Sequence, residues 1–202
     1  MNLFAEITKK PWLDVPEGEL VDGPMFPLAR STVGFRIFIV IVSFLFTLMV
    51  GAYADRIVLN DWRAMPELPM LWLNTALIVL ASLTMRRAAR KLAGDLSAVK
   101  NLIALSIALS VAFVAGQLMA WNELVSLGYF AAANPANAFF DMITGVHGVH
   151  VLGGLVVLLN AAVKVWGCVD GQRLRTTLRL CTAYWHFLLI VWLVLFALFL
   201  FT

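Results

Sequence analysis

The stretch Phe139-Phe140-Asp141-Met142-Ile143-Thr144-Gly145-Val146-His147-Gly148-Val149-His150-Val151-Leu152-Gly153-Gly154 decides how this chain folds. It is apolar enough to lie in hydrocarbon, yet it carries a carboxylate, two imidazoles and four glycines. Ionisable side chains are costly inside a bilayer and persist where something engages them. Glycines at helical spacing let a second helix come close. At 100° per residue, Asp141, Thr144, Gly145 and Gly148 gather on one arc, and His147, His150 and Gly154 on another. A helix with two non-lipid faces belongs between neighbours, so the rest of the chain must supply them.

Composition supplies them. The chain of 202 residues is 62% apolar and 13% charged, against about a quarter charged in soluble domains. About 20 apolar residues cross about 30 Å of hydrocarbon as a helix. Stretches of this kind run near 34–53, 69–85, 102–121, 138–165 and 181–201. The predicted fold class is all-α: a polytopic membrane protein with a bundle of five transmembrane helices. The second span is the weakest, with Asn74 inside it and Arg86 and Arg87 closing it.

Residues 1–33 read as a short tail before a single membrane domain over 34–202. Glu6, Asp14, Glu17, Glu19 and Asp22, with no apolar core, argue against a signal peptide. Pro11, Pro16, Pro24 and Pro27 predict an extended or irregular segment. No internal repeat is visible, which counts against transporters built from inverted halves. The segment 86–101 reads as a short helical connection, and Asn134-Pro135-Ala136-Asn137 as the turn before the fourth helix. The apolar finish predicts no soluble domain after the last helix.

The net charge of +3 does not point to nucleic acid. Arg86, Arg87, Arg90, Lys91 and Lys100 follow the second span, and Lys164, Arg173, Arg175 and Arg179 precede the fifth. By the positive-inside rule these are cytoplasmic connections. The N-terminus is then cytoplasmic and the C-terminus outside, as five crossings require. Cys168 and Cys181 fall near the cytoplasmic boundary, where a disulfide is disfavoured. Their spacing matches no metal motif.

Two readings of the histidines follow from the residues alone. In one, His147, His150 and His186 hydrogen-bond to neighbouring helices while Gly145, Gly148, Gly153 and Gly154 pack against them. In the other, His150 and His186 are axial haem ligands in a small membrane cytochrome b. Counting 1.5 Å per residue puts His150 about 12 Å and His186 about 8 Å above the inner boundary, so depth permits the pair. A third class, a small transporter or lipid-binding protein, predicts a homo-oligomer. Asn74, Gln117 and Asn160 read as interhelical contacts worth about 0.6–2 kcal/mol. Trp185, Leu188, Leu189, Trp192 and Phe196 form a bulky stripe on the fifth helix.

The run Thr144-Gly145-Val146-His147-Gly148-Val149-His150-Val151 resembles the TGxHGxHV signature of subunit III of haem-copper oxidases. Tyr184-Trp185-His186-Phe187, followed by Val191-Trp192 and Leu195-Phe196, resembles that family's last helix. Gly116-Gln117 with Trp121 is similar to its third-helix pattern, and Gly34 with Ile37-Phe38-Ile39 more weakly to its entry helix. The length resembles the five-helix form found in bacterial quinol oxidases and beside nitric oxide reductases.

The resemblance implies a non-catalytic component of a membrane terminal oxidase in respiratory electron transport. Such a subunit packs against and stabilises subunit I, with subunit II as a further partner, and binds structural phospholipids. Haem and copper would lie in the partner, with no cofactor, metal or catalytic residue in this chain. His147, His150, His186, Trp185, Trp192 and Gln117 would then be lipid or partner contacts. The expected location is a bacterial-type cell membrane. An accessory subunit of a nitric oxide reductase is the alternative. The chain departs from the family where membrane acids are usual: Val42, Ala120 and Leu189 stand at those positions. Any acid-dependent proton role is therefore expected to be absent.

Overall fold

A computed structural model describes residues 30–59, Trp62, Pro66, 68–92, 94–130, 134–167 and 171–201. Most of the tail expected over 1–33 and Cys168 lie outside these residues. Five helices carry the described chain: α1 Arg30–Ile57, α2 Pro69–Lys91, α3 Leu96–Ser126, α4 Pro135–Trp166 and α5 Gly171–Leu200. Each is long and apolar enough to cross a membrane. The chain is thus an all-α, multi-pass membrane protein. The bundle proper is Ile37–Thr202; the first turns of α1 belong with the N-terminal unit, Met1–Arg36.

The helices outrun their apolar stretches. α2 continues through Arg86-Arg87-Ala88-Ala89-Arg90-Lys91, because Ala, Arg and Lys are strong helix formers that need no hydrocarbon. Arg90 and Lys91 in its last turn also suit the negative end of the helix dipole. The connection expected over 86–101 therefore shrinks to the break at Leu92–Asp95. There the Asp95 carboxylate accepts from the Ala98 amide at 2.9 Å and caps α3.

At the far end of α3, Gly128 takes φ 84°. The Tyr129 amide donates to the Leu124 carbonyl at 2.9 Å and the Gly128 amide to Val125 at 3.0 Å. This paired closure is the Schellman arrangement, and glycine adopts the left-handed residue without penalty. α4 opens at Pro135, earlier than the start expected near 138, so Pro135-Ala136-Asn137 forms its first turn rather than a turn ahead of it. The Asn134 side-chain oxygen accepts from the Ala136 amide at 3.2 Å, and Pro135 takes the first helical position.

Packing links α2 to α3, α3 to α4, α4 to α5 and α5 back to α2, which closes a ring of four helices. α1 sits outside that ring. Its Val42, Phe46 and Tyr53 pack with Ile143 of α4 and with Val191 and Leu195 of α5. The opposite face of α1, Ile37, Ile41, Phe44 and Leu48, is between 56% and 71% exposed. At a spacing of four, three and four residues these form one stripe. In a bilayer such a stripe faces lipid or another chain.

Candidate functional site

α4 is held on three sides, and each turn of the motif meets a different neighbour. Thr144 donates to its own Phe140 carbonyl at 2.6 Å and accepts from the Trp121 indole of α3 at 3.0 Å. Gly145 lies beside the same ring, and an added Cβ would stand 3.7 Å from Trp121, an ordinary contact distance. One turn on, His147 is fully buried among Phe46 of α1, Phe113 of α3 and Trp192 of α5, with ring centroids 6.1, 5.9 and 5.4 Å away. Neither of its ring nitrogens has a hydrogen-bond partner. His147 thus occupies the middle of the bundle, where four helices meet.

His150 turns toward α1, with Phe46 at 5.5 Å and Phe38 at 6.3 Å between ring centroids. Its Nδ1 lies 2.8 Å from the Val146 carbonyl. The Tyr184 hydroxyl of α5 donates to the His150 carbonyl at 2.9 Å. At Gly154 the backbone approach is closest. A Cβ there would lie 2.6 Å from Tyr184 Cε1 and 2.9 Å from Trp185 Cζ3. Around Gly148 and Gly153 a Cβ would meet nothing within 4 Å. Asp141 is half-buried near the start of the helix.

The fifth helix answers with indole N–H groups. Trp185 donates to Ser110 of α3 at 3.1 Å, and Trp192 to Thr75 of α2 at 2.9 Å. The receiving hydroxyls donate onward to carbonyls of their own helices, Ser106 and Leu71. Ser106 and Thr84 join α3 to α2 at 2.7 Å. Hydroxyl-to-hydroxyl and indole-to-hydroxyl bonds of this kind satisfy polar groups that hydrocarbon cannot.

His186 sits on another seam. Its Nδ1 lies 2.8 Å from the Thr182 carbonyl and 3.3 Å from Ser82 of α2. The structure therefore sets His150 against α1 and His186 against α2, with different neighbours. No three His, Cys, Asp or Glu side chains converge among the described residues.

Asn74 of α2 donates to Gln117 of α3 at 3.3 Å, and Gly116 opens the space for it. A Cβ at Gly116 would collide with the Asn74 side-chain oxygen. That oxygen and the Gln117 Nε2 have no partner. The positions of the family's usual acids are apolar and enclosed: Val42 lies in the α1 contact, Ala120 is fully buried and Leu189 half-buried.

Sequence reasoning passed over Ser110, Thr75, Ser82 and the Thr84–Ser106 pair. Their only signal was recurrence inside apolar spans, Ser106 and Ser110 being one turn apart.

Comparison with known proteins agrees with this geometry. The family model described as cytochrome c oxidase subunit III matches residues 29–202. A probable cytochrome c oxidase subunit 3 of Nocardia farcinica is 34% identical over 128 residues, 61% of each chain. A cytochrome c oxidase subunit 3 of Synechocystis sp. is 29% identical over 175 residues, 82% of this chain and 72% of the relative. A cytochrome bo(3) ubiquinol oxidase subunit 3 of Pseudomonas aeruginosa is 27% identical over 133 residues, 64% of this chain and 63% of the relative. The chain thus spans less than two thirds of the length of the Nocardia and Pseudomonas proteins. The family match takes in all five helices and the α4 and α5 runs that knit the bundle together, and on that ground the chain belongs to the cytochrome c oxidase subunit III family.

Proposed function

We propose that this protein is the non-catalytic third subunit of a haem-copper terminal oxidase. It packs against a haem- and copper-bearing subunit I, with subunit II as a further partner, and holds phospholipid at their boundary. The observation that carries this reading is the family match across 29–202, which includes relatives named as cytochrome c oxidase and ubiquinol oxidase subunits. The inward half of the bundle is closed on itself through indole and hydroxyl contacts, while α1 offers its exposed stripe outward. That division suits a stabilising neighbour rather than a site of chemistry. The positive-inside rule places the α2–α3 and α4–α5 connections in the cytoplasm and Thr202 outside a bacterial-type cell membrane. The cytoplasmic side also takes the tail over 1–33.

The test is capture of the tagged chain from its own membranes in mild detergent, followed by haem spectroscopy. A large subunit with haem spectra and oxygen reduction is expected. Nitric oxide turnover by the captured complex would assign it to a nitric oxide reductase instead. Haem retained by the isolated chain and lost in His186→Ala would establish a cytochrome b. Capture without any haem subunit would refute the proposal.

A further inference from the structure

α2 is the least apolar of the five spans. Its apolar stretch, Pro69 to Met85, reaches about 25 Å as a helix, against about 30 Å of hydrocarbon. Arg86 and Arg87 close that stretch, and Asn74, Ser82 and Thr84 lie inside it, all three buried. α3 is the opposite case: no charged residue stands between Lys100 and Glu123. The two helices joined at Leu92–Asp95 are therefore unequal. One can hold the bilayer on composition alone, and the other falls short of it.

The polar groups of α2 are met first by α3. Asn74 donates to Gln117 at 3.3 Å, and the Thr84 and Ser106 hydroxyls join at 2.7 Å. The two contacts stand about 15 Å apart on α2 and about 16 Å apart on α3, so they share one antiparallel register. The midpoint in sequence of either pair falls at about residue 95, within the break between the helices. Gly116 admits the Asn74 side chain against the α3 backbone. Hydroxyls can turn to carbonyls of their own helix, as Thr75 and Thr84 do. The Asn74 carboxamide makes the larger demand, with two N–H donors and an acceptor, and its partner is Gln117. α5 adds Trp192 to Thr75 and His186 to Ser82, but later. From Gln117 to Trp192, synthesis takes about 4–15 s at 5–20 residues per second.

We propose that α2 is a conditional membrane span, which crosses the bilayer as one unit with α3 and not before it. α3 supplies the apolar length. Its Gln117 and Ser106 shelter the polar groups of α2 from hydrocarbon, where backbone and side-chain polar groups must find partners within the protein. The break at Leu92–Asp95 reaches the cytoplasmic side only with both helices in place. The side named here rests on the orientation in the proposed function; the pairing of the two helices does not.

The test uses the full chain carrying Cys168→Ser, Cys181→Ser and Gly94→Cys, the last in the break, where a Cβ meets nothing within 4 Å. A membrane-impermeant maleimide is added to intact cells or after the membrane is opened. Labelling of this parent chain is expected only after opening. Gln117→Leu with Ser106→Leu makes α3 more apolar, yet it should raise labelling of intact cells about tenfold. Adding Asn74→Leu with Thr84→Leu should restore protection. Trp192→Phe with His186→Leu removes the α5 contacts and should leave labelling within about twofold of the parent. Unchanged protection after the α3 pair, an equal rise after the α5 pair, or no rescue by the α2 pair would each overturn the proposal. A parent chain labelled in intact cells would refute the orientation instead, and the same variants would then be compared from the opposite side.

Discussion

Replacing Gly154 with alanine adds one methyl group where α4 and α5 touch. The new Cβ would stand 2.6 Å from Tyr184 Cε1 and 2.9 Å from Trp185 Cζ3, where carbon atoms rest at about 3.5–4.0 Å. Both rings must retreat by roughly 1 Å. Neither is free to do so: the Tyr184 hydroxyl is bound to the His150 carbonyl, and the Trp185 indole to Ser110. Overpacking of this kind costs about 1–3 kcal/mol, and a weakened interhelical hydrogen bond about 0.6–1.7 kcal/mol. Alanine gives back about 1 kcal/mol of helix propensity. The net expectation is a loss of about 1–3 kcal/mol. Gly153→Ala is the internal control, because a Cβ there meets nothing within 4 Å. It should be neutral or stabilise by up to about 1 kcal/mol. Equilibrium unfolding in mixed micelles, followed by circular dichroism, measures both. If Gly154→Ala matches Gly153→Ala, the close approach of α4 and α5 is wrong.

Gly116→Ala should destabilise by about 1–3 kcal/mol through collision with Asn74, and Asn74→Ala should restore much of the loss in a double-mutant cycle; additive effects would exclude the contact. His147→Leu removes two unpartnered nitrogens at similar volume, so stability should change by less than about 1.5 kcal/mol; a loss above about 3 kcal/mol would reveal hydrogen bonds to an enclosed water. Val42→Glu places a carboxylate among Phe46, Ile143, Val191 and Leu195 and should cost at least about 2.5 kcal/mol; an unchanged unfolding midpoint would show that water reaches that seam. Cys181 is buried, so in a Cys168→Ser background maleimide should label it only after unfolding; rapid labelling of the folded chain would contradict its burial.

The apolar runs announced five helices because hydrocarbon demands length and composition, both visible in a string of residues. Helix ends were less visible. Arg86–Lys91 is polar yet helical, since backbone propensity does not stop at the membrane boundary. Within the bundle, periodicity told which motif residues share an arc but not what stands opposite. Counting depth allowed His150 and His186 to meet; it says nothing about direction around the helix axis, and they point to α1 and α2. The same limit applies to the glycines. Gly154 and Gly153 look alike in sequence, and only the rings of Tyr184 and Trp185 distinguish them. Trp185 and Trp192 were legible as a bulky stripe, whereas their hydroxyl acceptors depended on how α2 and α3 are placed.

The position of α1 outside the four-helix ring bears on how the protein is made. α1 emerges from the ribosome before the other four helices, yet its seat is formed by Ile143, Val191 and Leu195, in α4 and α5, which follow it by roughly 90 residues or more. Tyr53 must wait for Leu195, which is roughly 7–28 s at 5–20 residues per second. During that interval α1 waits in the bilayer without its seat, and its Ile37-to-Leu48 stripe suits lipid as solvent. α2, α3 and α4 can pair in order as they appear, and α5 closes the ring. Only then does α1 dock, because its seat is not whole until Val191 and Leu195 of α5 have been made. A synthesis arrest after α4 should leave α1 undocked in the membrane, a natural substrate for quality control.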